Sequence, residues 1–221
     1  MSHYDVNSNP ALVKRMIENS KKASEKYFGE HPDSLIPPFE KELYDLGFEF
    51  EISGQIIQFL PKHKKTILPI AIKYYQQARY DNEKNFFISL FHFKGFDEVV
   101  PMLINDFYVS TTSDITRWFI SDCLYQIGSP KYIDDYLKII ANTIFGKNRQ
   151  MIILLVGKLK IEDAIPVLIG LLEDEEVRLQ AMIALSDFKR EELRPYFKRF
   201  ENAKHPGCRK YAKAALKKLD R

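Results

Sequence analysis

The sequence predicts an all-α fold, a right-handed α-α superhelix of about five stacked helix pairs with a capping helix region at each end. Three observations predict it. Apolar residues recur at helical period along most of the 221 residues. The pattern repeats about every 32 residues. No alternating apolar-polar run bounded by Asn-Gly or Asp-Gly, the mark of a hairpin, occurs.

Four segments carry the repeat. Lys84 opens KNFFISLFHFKGFDEVVPMLI, Arg117 opens RWFISDCLYQIGSPKYIDDYLKII, Arg149 opens RQMIILLVGKLKIEDAIPVLIGLL, and Arg178 opens RLQAMIALSDFKREELRPYFKRF. In each, a basic residue leads into a first apolar helix, a short polar break follows, and a second apolar helix ends the unit. Pro101, Pro166 and Pro195 lie 17 residues after Lys84, Arg149 and Arg178, and Asp134 takes that place after Arg117. With Pro69 the marks fall at 69, 101, 134, 166 and 195, at intervals of 32, 33, 32 and 29. A proline fits the first turn of a second helix, where its missing N–H has no intrahelical partner to lose. Glu162-Asp163 and Glu191-Glu192, just before it, suit the positive end of the helix dipole.

These residues carry a resemblance. Arg117-Trp-Phe-Ile-Ser-Asp-Cys-Leu-Tyr-Gln-Ile-Gly resembles the first helix of a HEAT-like repeat. Glu162-Asp-Ala-Ile-Pro-Val-Leu-Ile-Gly-Leu-Leu-Glu-Asp-Glu-Glu-Val-Arg resembles the second helix and the turn that follows it. The likeness runs from about residue 84 to 218, is thinner from 50 to 80, and is absent from 1–48. It implies an armadillo-type α-solenoid, and such families mostly serve as binding scaffolds, with a few enzymes among them. One pair cannot bury its own apolar face, so the pairs are expected to stack on one continuous core. Residues 1–48 are then N-terminal capping helices, 49–207 the repeats, and 208–221 a C-terminal cap, all in one domain. First helices are expected on the convex side and second helices on the concave side.

Composition narrows the function. Net charge is +3 with 29% charged residues, ordinary for a folded soluble protein. Cys123 and Cys208 stand far apart with no histidine at ligand spacing, so neither a disulfide framework nor a metal site is expected. No Walker loop, dinucleotide fingerprint or nucleophile elbow occurs, and no cofactor is expected. The opening Met1-Ser-His-Tyr-Asp lacks the marks of a secretory signal, and the longest apolar run, Met151–Val156, is far short of a bilayer span. A cytoplasmic protein with no membrane partner is expected.

Three groups of residues are candidates for function. The first is a ladder on the second helices, four residues after each mark: Lys73, Asn105, Lys138, Gly170 and Arg199, with Gln77, Tyr108, Asn142 and Asn202 one turn on. It is polar and mildly cationic, which suits either an acidic or phosphate-bearing partner or a plain solvated face. The second is the C-terminal stretch from Lys189 to Arg221, where 12 basic residues face 4 acidic ones, a balance of 12 − 4 = +8. That asymmetry permits a nucleic-acid or acidic partner, and also fits a solvated cap. The third is Trp118 with Asp122, four apart on one helix face. HEAT-like alkylpurine DNA glycosylases carry a catalytic Trp and Asp at this spacing and an Arg farther along, for which Arg149 is the counterpart. In that resemblance the aromatic face holds a cationic damaged base and the carboxylate stabilises developing charge. Trp118 is the only tryptophan, however, and Asp122 and Arg149 are ordinary repeat positions.

The recurring Arg117, Arg149, Arg178 and Arg209 read as stacking residues paired with acids in the adjoining turns, such as Asp114 or Glu175. His92, between Phe91 and Phe93, reads as packed rather than ligating. The leading expectation is a non-catalytic module whose concave face binds another protein. The alternative is a nucleic-acid-binding protein or a glycosylase.

Overall fold

A computed structural model describes residues 10–220. Residues 1–9 of the expected N-terminal cap and Arg221 of the basic stretch lie outside the described residues. Every regular element among the described residues is helical: α1 (Pro10–Glu30), α2 (Ile36–Asp45), α3 (Leu60–Gln77), α4 (Asp81–Leu90), α5 (Val100–Tyr108), α6 (Asp114–Ile127), α7 (Ile133–Ala141), α8 (Gln150–Lys158), α9 (Ile165–Gly170), α10 (Arg178–Phe188), α11 (Arg194–Lys198) and α12 (Pro206–Leu219). The chain divides into two units, 1–90 and 91–221. The division falls inside the Lys84 repeat, between its first and second helices.

In the first unit α3 packs against α2 and α4 around Phe39, Leu43, Ile67, Ala71, Tyr75 and Phe87, all buried. Phe39 meets the ring of Phe87 edge-on at 5.2 Å, a favourable use of the ring quadrupoles. Pro37 and Pro38 lie in the first turn of α2. Pro69 does not open a helix: it lies inside α3, whose first-turn proline is Pro61. The helix is kinked at His63 (φ −118°, ψ 27°), and its regular part starts there, more than one turn before the repeat mark, so the 32-residue spacing holds while the helix start does not. Glu83 is buried, and its carboxylate accepts the backbone N–H groups of Leu35 (2.6 Å) and Arg79 (3.3 Å), tying α2 to α4.

The second unit keeps the repeat. A single 3-10 turn (97–99, 130–132, 162–164, 191–193) leads into each second helix. Pro101, Asp134, Pro166 and Pro195 are each the second residue of their helix. Eleven residues after Arg117, Arg149 and Arg178 the backbone turns left-handed, at Gly128 (φ 64°), Lys160 (φ 53°) and Lys189 (φ 54°). Only the first of these is a glycine, the residue that takes this conformation without steric cost.

First helices α6, α8, α10 and α12 pack in succession, and each second helix packs on the first helix of the next pair. Helices α8 and α10 approach each other closely. A Cβ on Gly157 would lie 2.5 Å from the Ala184 Cα, so only glycine permits this contact.

The opening arginines bind backbone more than acids. Arg117 donates to the carbonyls of Phe107 (3.0 Å) and Val109 (2.9 Å), Arg178 to Leu172 (2.6 Å) and Glu173 (3.2 Å), and Arg209 to Ala203 (2.8 Å). Arg117 and Arg178 thereby satisfy carbonyls at or just beyond the end of the preceding second helix, where the helix dipole favours a cation, and Arg209 binds the turn after α11. The expected acids are there but farther off, Asp114 at 3.5 Å from Arg117 and Glu175 at 3.8 Å from Arg178.

Candidate functional site

The second-helix ladder is exposed, as its register requires. In the second unit Asn105, Tyr108, Lys138, Asn142, Arg199 and Asn202 all face solvent. Its cations are not isolated charges. Lys138 pairs with Asp135 at 3.5 Å, and Arg199 pairs with Glu173 and lies over the Phe200 ring. Asn142 is a cap: its Oδ1 accepts the N–H of Ile144 at 3.2 Å and opens the 3-10 segment 143–149. Tyr108 stacks edge-on against Phe145 at 5.4 Å, and burial raises its hydroxyl pKa. In the first unit, Lys73 binds Glu42 and Gln77 donates to the Lys73 carbonyl. Glu42 is held below its usual range by the hydrogen bond from Lys73. The ladder is thus a mixed-charge surface rather than a cationic track. Carboxylates lie beside the same lysines and arginine that phosphates would need.

Of the glycosylase trio, Arg149 is sealed from solvent. Trp118 and Asp122 do share the outer face of α6, and Asp122 accepts a long hydrogen bond from Gln126 (3.4 Å). Arg149 is elsewhere in role and access. It is wholly buried, donating to Gly146 O (3.0 Å), Ile140 O (3.0 Å) and the Asp174 carboxylate (2.6 Å). A guanidinium so occupied has no edge to present to a nucleic-acid backbone. Among the described residues no cluster of His, Cys, Asp and Glu could hold a metal ion. No helix among them is long and apolar enough to cross a membrane.

Part of the basic C-terminal stretch is held in ion pairs. Arg190 pairs with Glu162 and Glu192, Arg194 with Glu191 and Asp220, and Lys218 with Asp187. Lys210, Lys213 and Lys217 are exposed along α12, whose buried face is Cys208, Ala212, Ala215 and Leu216.

A surface on the first helices went unmarked in the sequence. The buried residues of α6, α8 and α10 leave one face of each helix outward. That face carries Ile115 and Trp118 on α6, Met151 and Leu154 on α8, and Leu179 and Ile183 on α10, with Lys210 and Ala214 on α12. Ile115 is 66% exposed and Trp118 46%. Nearby in sequence, Ile144 is 82% exposed at the turn before α8. The signal available beforehand was the breadth of the apolar pattern. Leu154, Leu179 and Ile183 make α8 and α10 apolar beyond the stripe that burial needs.

His92 sits beneath this face. Burial lowers its pKa, against the Asp122 carboxylate and a hydrogen bond to the Phe119 carbonyl, and its Nε2 is buried without a partner. Comparison of the chain with protein-family models, curated proteins and solved structures found no match.

Proposed function

We propose that this protein is a non-catalytic binding module, a HEAT-like α-solenoid whose partner is another protein. The observation that carries the reading is the exposure of Ile115, Trp118 and Ile144 in the second unit. Large apolar side chains left in water at this density favour a protein partner, and tryptophan is a common anchor of such contacts. The succession of first helices, each second helix resting on the next pair, supports the solenoid reading. Sequestration of Arg149 and pairing of Lys138 and Arg199 weigh against catalysis on a nucleic acid.

The test is site-specific photo-crosslinking in cells, with the reactive residue at position 118 or 144. Discrete protein adducts at both positions, absent at a control position such as Lys94, are the expected result. No adducts, together with DNA binding by the purified protein that weakens steeply with salt, would replace this reading with a second one. That second reading, a nucleic-acid partner, is favoured by one observation, the exposed cations of α12. Reversing Lys210, Lys213 and Lys217 to glutamate would then abolish DNA binding.

A further inference from the structure

We propose that the partner of the first-helix face is a second copy of this chain, in a two-fold dimer formed by the second unit. The proposal rests on the protein-binding reading and names its partner.

The face is apolar in the middle, where Leu154 on α8 and Ile183 on α10 are half-buried, and differs at its two sides. On the α6 side stand Trp118 and Asp122; on the α12 side stands Lys210, with Lys217 two turns along. An isologous contact must bring each patch against its symmetry mate. A two-fold axis parallel to the first helices, running between α8 and α10, does so favourably. It lays α8 on α10 of the copy, so Leu154 meets Ile183, and lays α6 on α12.

The chemistry at the sides then matches twice over, because symmetry repeats each contact. Trp118 lies opposite Lys210, where an ammonium over an indole face is attracted by the ring quadrupole. Asp122 lies one helical turn from the same lysine, within reach of its flexible stem. The other in-plane axis, perpendicular to the helices, would set α12 against α12 and bring lysines onto lysines. Charge therefore selects one arrangement.

Size sets the expected strength. Four helices spaced roughly 9 Å apart, each offering roughly 18 Å of length, give a footprint of about 600–700 Å² per copy. That is slightly below the ~800 Å² per partner of a standard stable interface. A dimer that dissociates in the micromolar range is expected.

Sedimentation velocity of the full chain, from low to high micromolar concentration, tests this. The expected result is a concentration-dependent shift from the 25.9 kDa monomer towards twice that mass. Ile183→Glu should give a monomer at every concentration. Since that substitution could also harm folding, a charge swap provides the second arm. Lys210→Glu should weaken dimerisation about tenfold or more, and adding Asp122→Lys should restore most of it. A wild-type protein that stays monomeric overturns the dimer, as does a dimer indifferent to both Ile183→Glu and Lys210→Glu. Photo-crosslinks from position 118 to a different protein, beside a monomeric wild type, would overturn the dimer while leaving the protein-binding reading intact.

Discussion

Replacing Arg149 by alanine separates a structural arginine from a functional one. The guanidinium is wholly buried and makes three contacts: Ile140 O and Gly146 O, each at 3.0 Å, and Asp174 at 2.6 Å. Removal leaves two carbonyls without this donor, at about 1–3 kcal/mol for each acceptor that stays dry. Asp174 is partly exposed and recovers water, so its loss falls well below the ~3–5 kcal/mol of a fully buried pair. The stem leaves a void beside α7 and α8, which adds to the cost. Together these give about 3–5 kcal/mol of destabilisation, a loss of roughly 10 °C or more in Tm for the second unit. Trp118, the only tryptophan, lies in this unit, so its fluorescence reports the unit's unfolding while far-UV circular dichroism reports both units. In urea titrations, the tryptophan transition should move to markedly lower denaturant. Arg149→Met, which keeps much of the volume but no donor, should lie between alanine and wild type. A change under about 1 kcal/mol for Arg149→Ala would refute the assignment, since no buried bonded arginine is so cheaply removed.

Other expectations follow from the same geometry. Gly157→Ala would force α8 and α10 apart, because the new Cβ meets the Ala184 Cα at 2.5 Å. Destabilisation of about 2–3 kcal/mol by urea unfolding is expected, with only partial rescue by Ala184→Gly, since backbone atoms are also struck. Lys189→Gly should raise stability by about 1 kcal/mol, seen as a higher Tm, because residue 189 holds φ 54°. His92 has a folded-state pKa below its unfolded value, owing chiefly to burial. Its neutral form is thus favoured by folding. Its contribution is complete above the unfolded value near 6.5 and declines as pH falls through that value towards the folded one. His92→Phe should lose less stability than wild type between pH 7.5 and about 5.5, and equal losses would count against a buried neutral imidazole. Glu83→Gln should weaken the first unit by about 1–2 kcal/mol, because one amide oxygen cannot serve both Leu35 and Arg79 as a carboxylate does. The circular dichroism transition should shift while Trp118 fluorescence holds.

Helical period and the proline register determined a great deal by themselves. The starts of α5, α7, α9 and α11, the exposure of Asn105, Lys138 and Arg199, and the all-helical class were legible in the residues. These are local properties: a period fixes which side of a helix is buried, and a missing N–H fixes where a helix begins. Pro69 shows the limit, for the same residue type that opens a helix elsewhere sits inside α3, past the kink at His63. What the long side chains do was settled only in three dimensions. Arg149 and Arg117 share a repeat position, yet one is sealed among carbonyls with Asp174 and the other reaches across the turn to Val109. The outward face of α8 and α10 was likewise hidden in the sequence, because Leu154, Leu179 and Ile183 are as apolar as the core beside them. Only the succession of first helices, brought close by Gly157 against Ala184, separates the leucines that fill the interior, such as Leu155, from those left half-buried at its surface, such as Leu154. Polarity specifies what a residue prefers to touch; the approach of neighbouring helices decides whether it is touched at all.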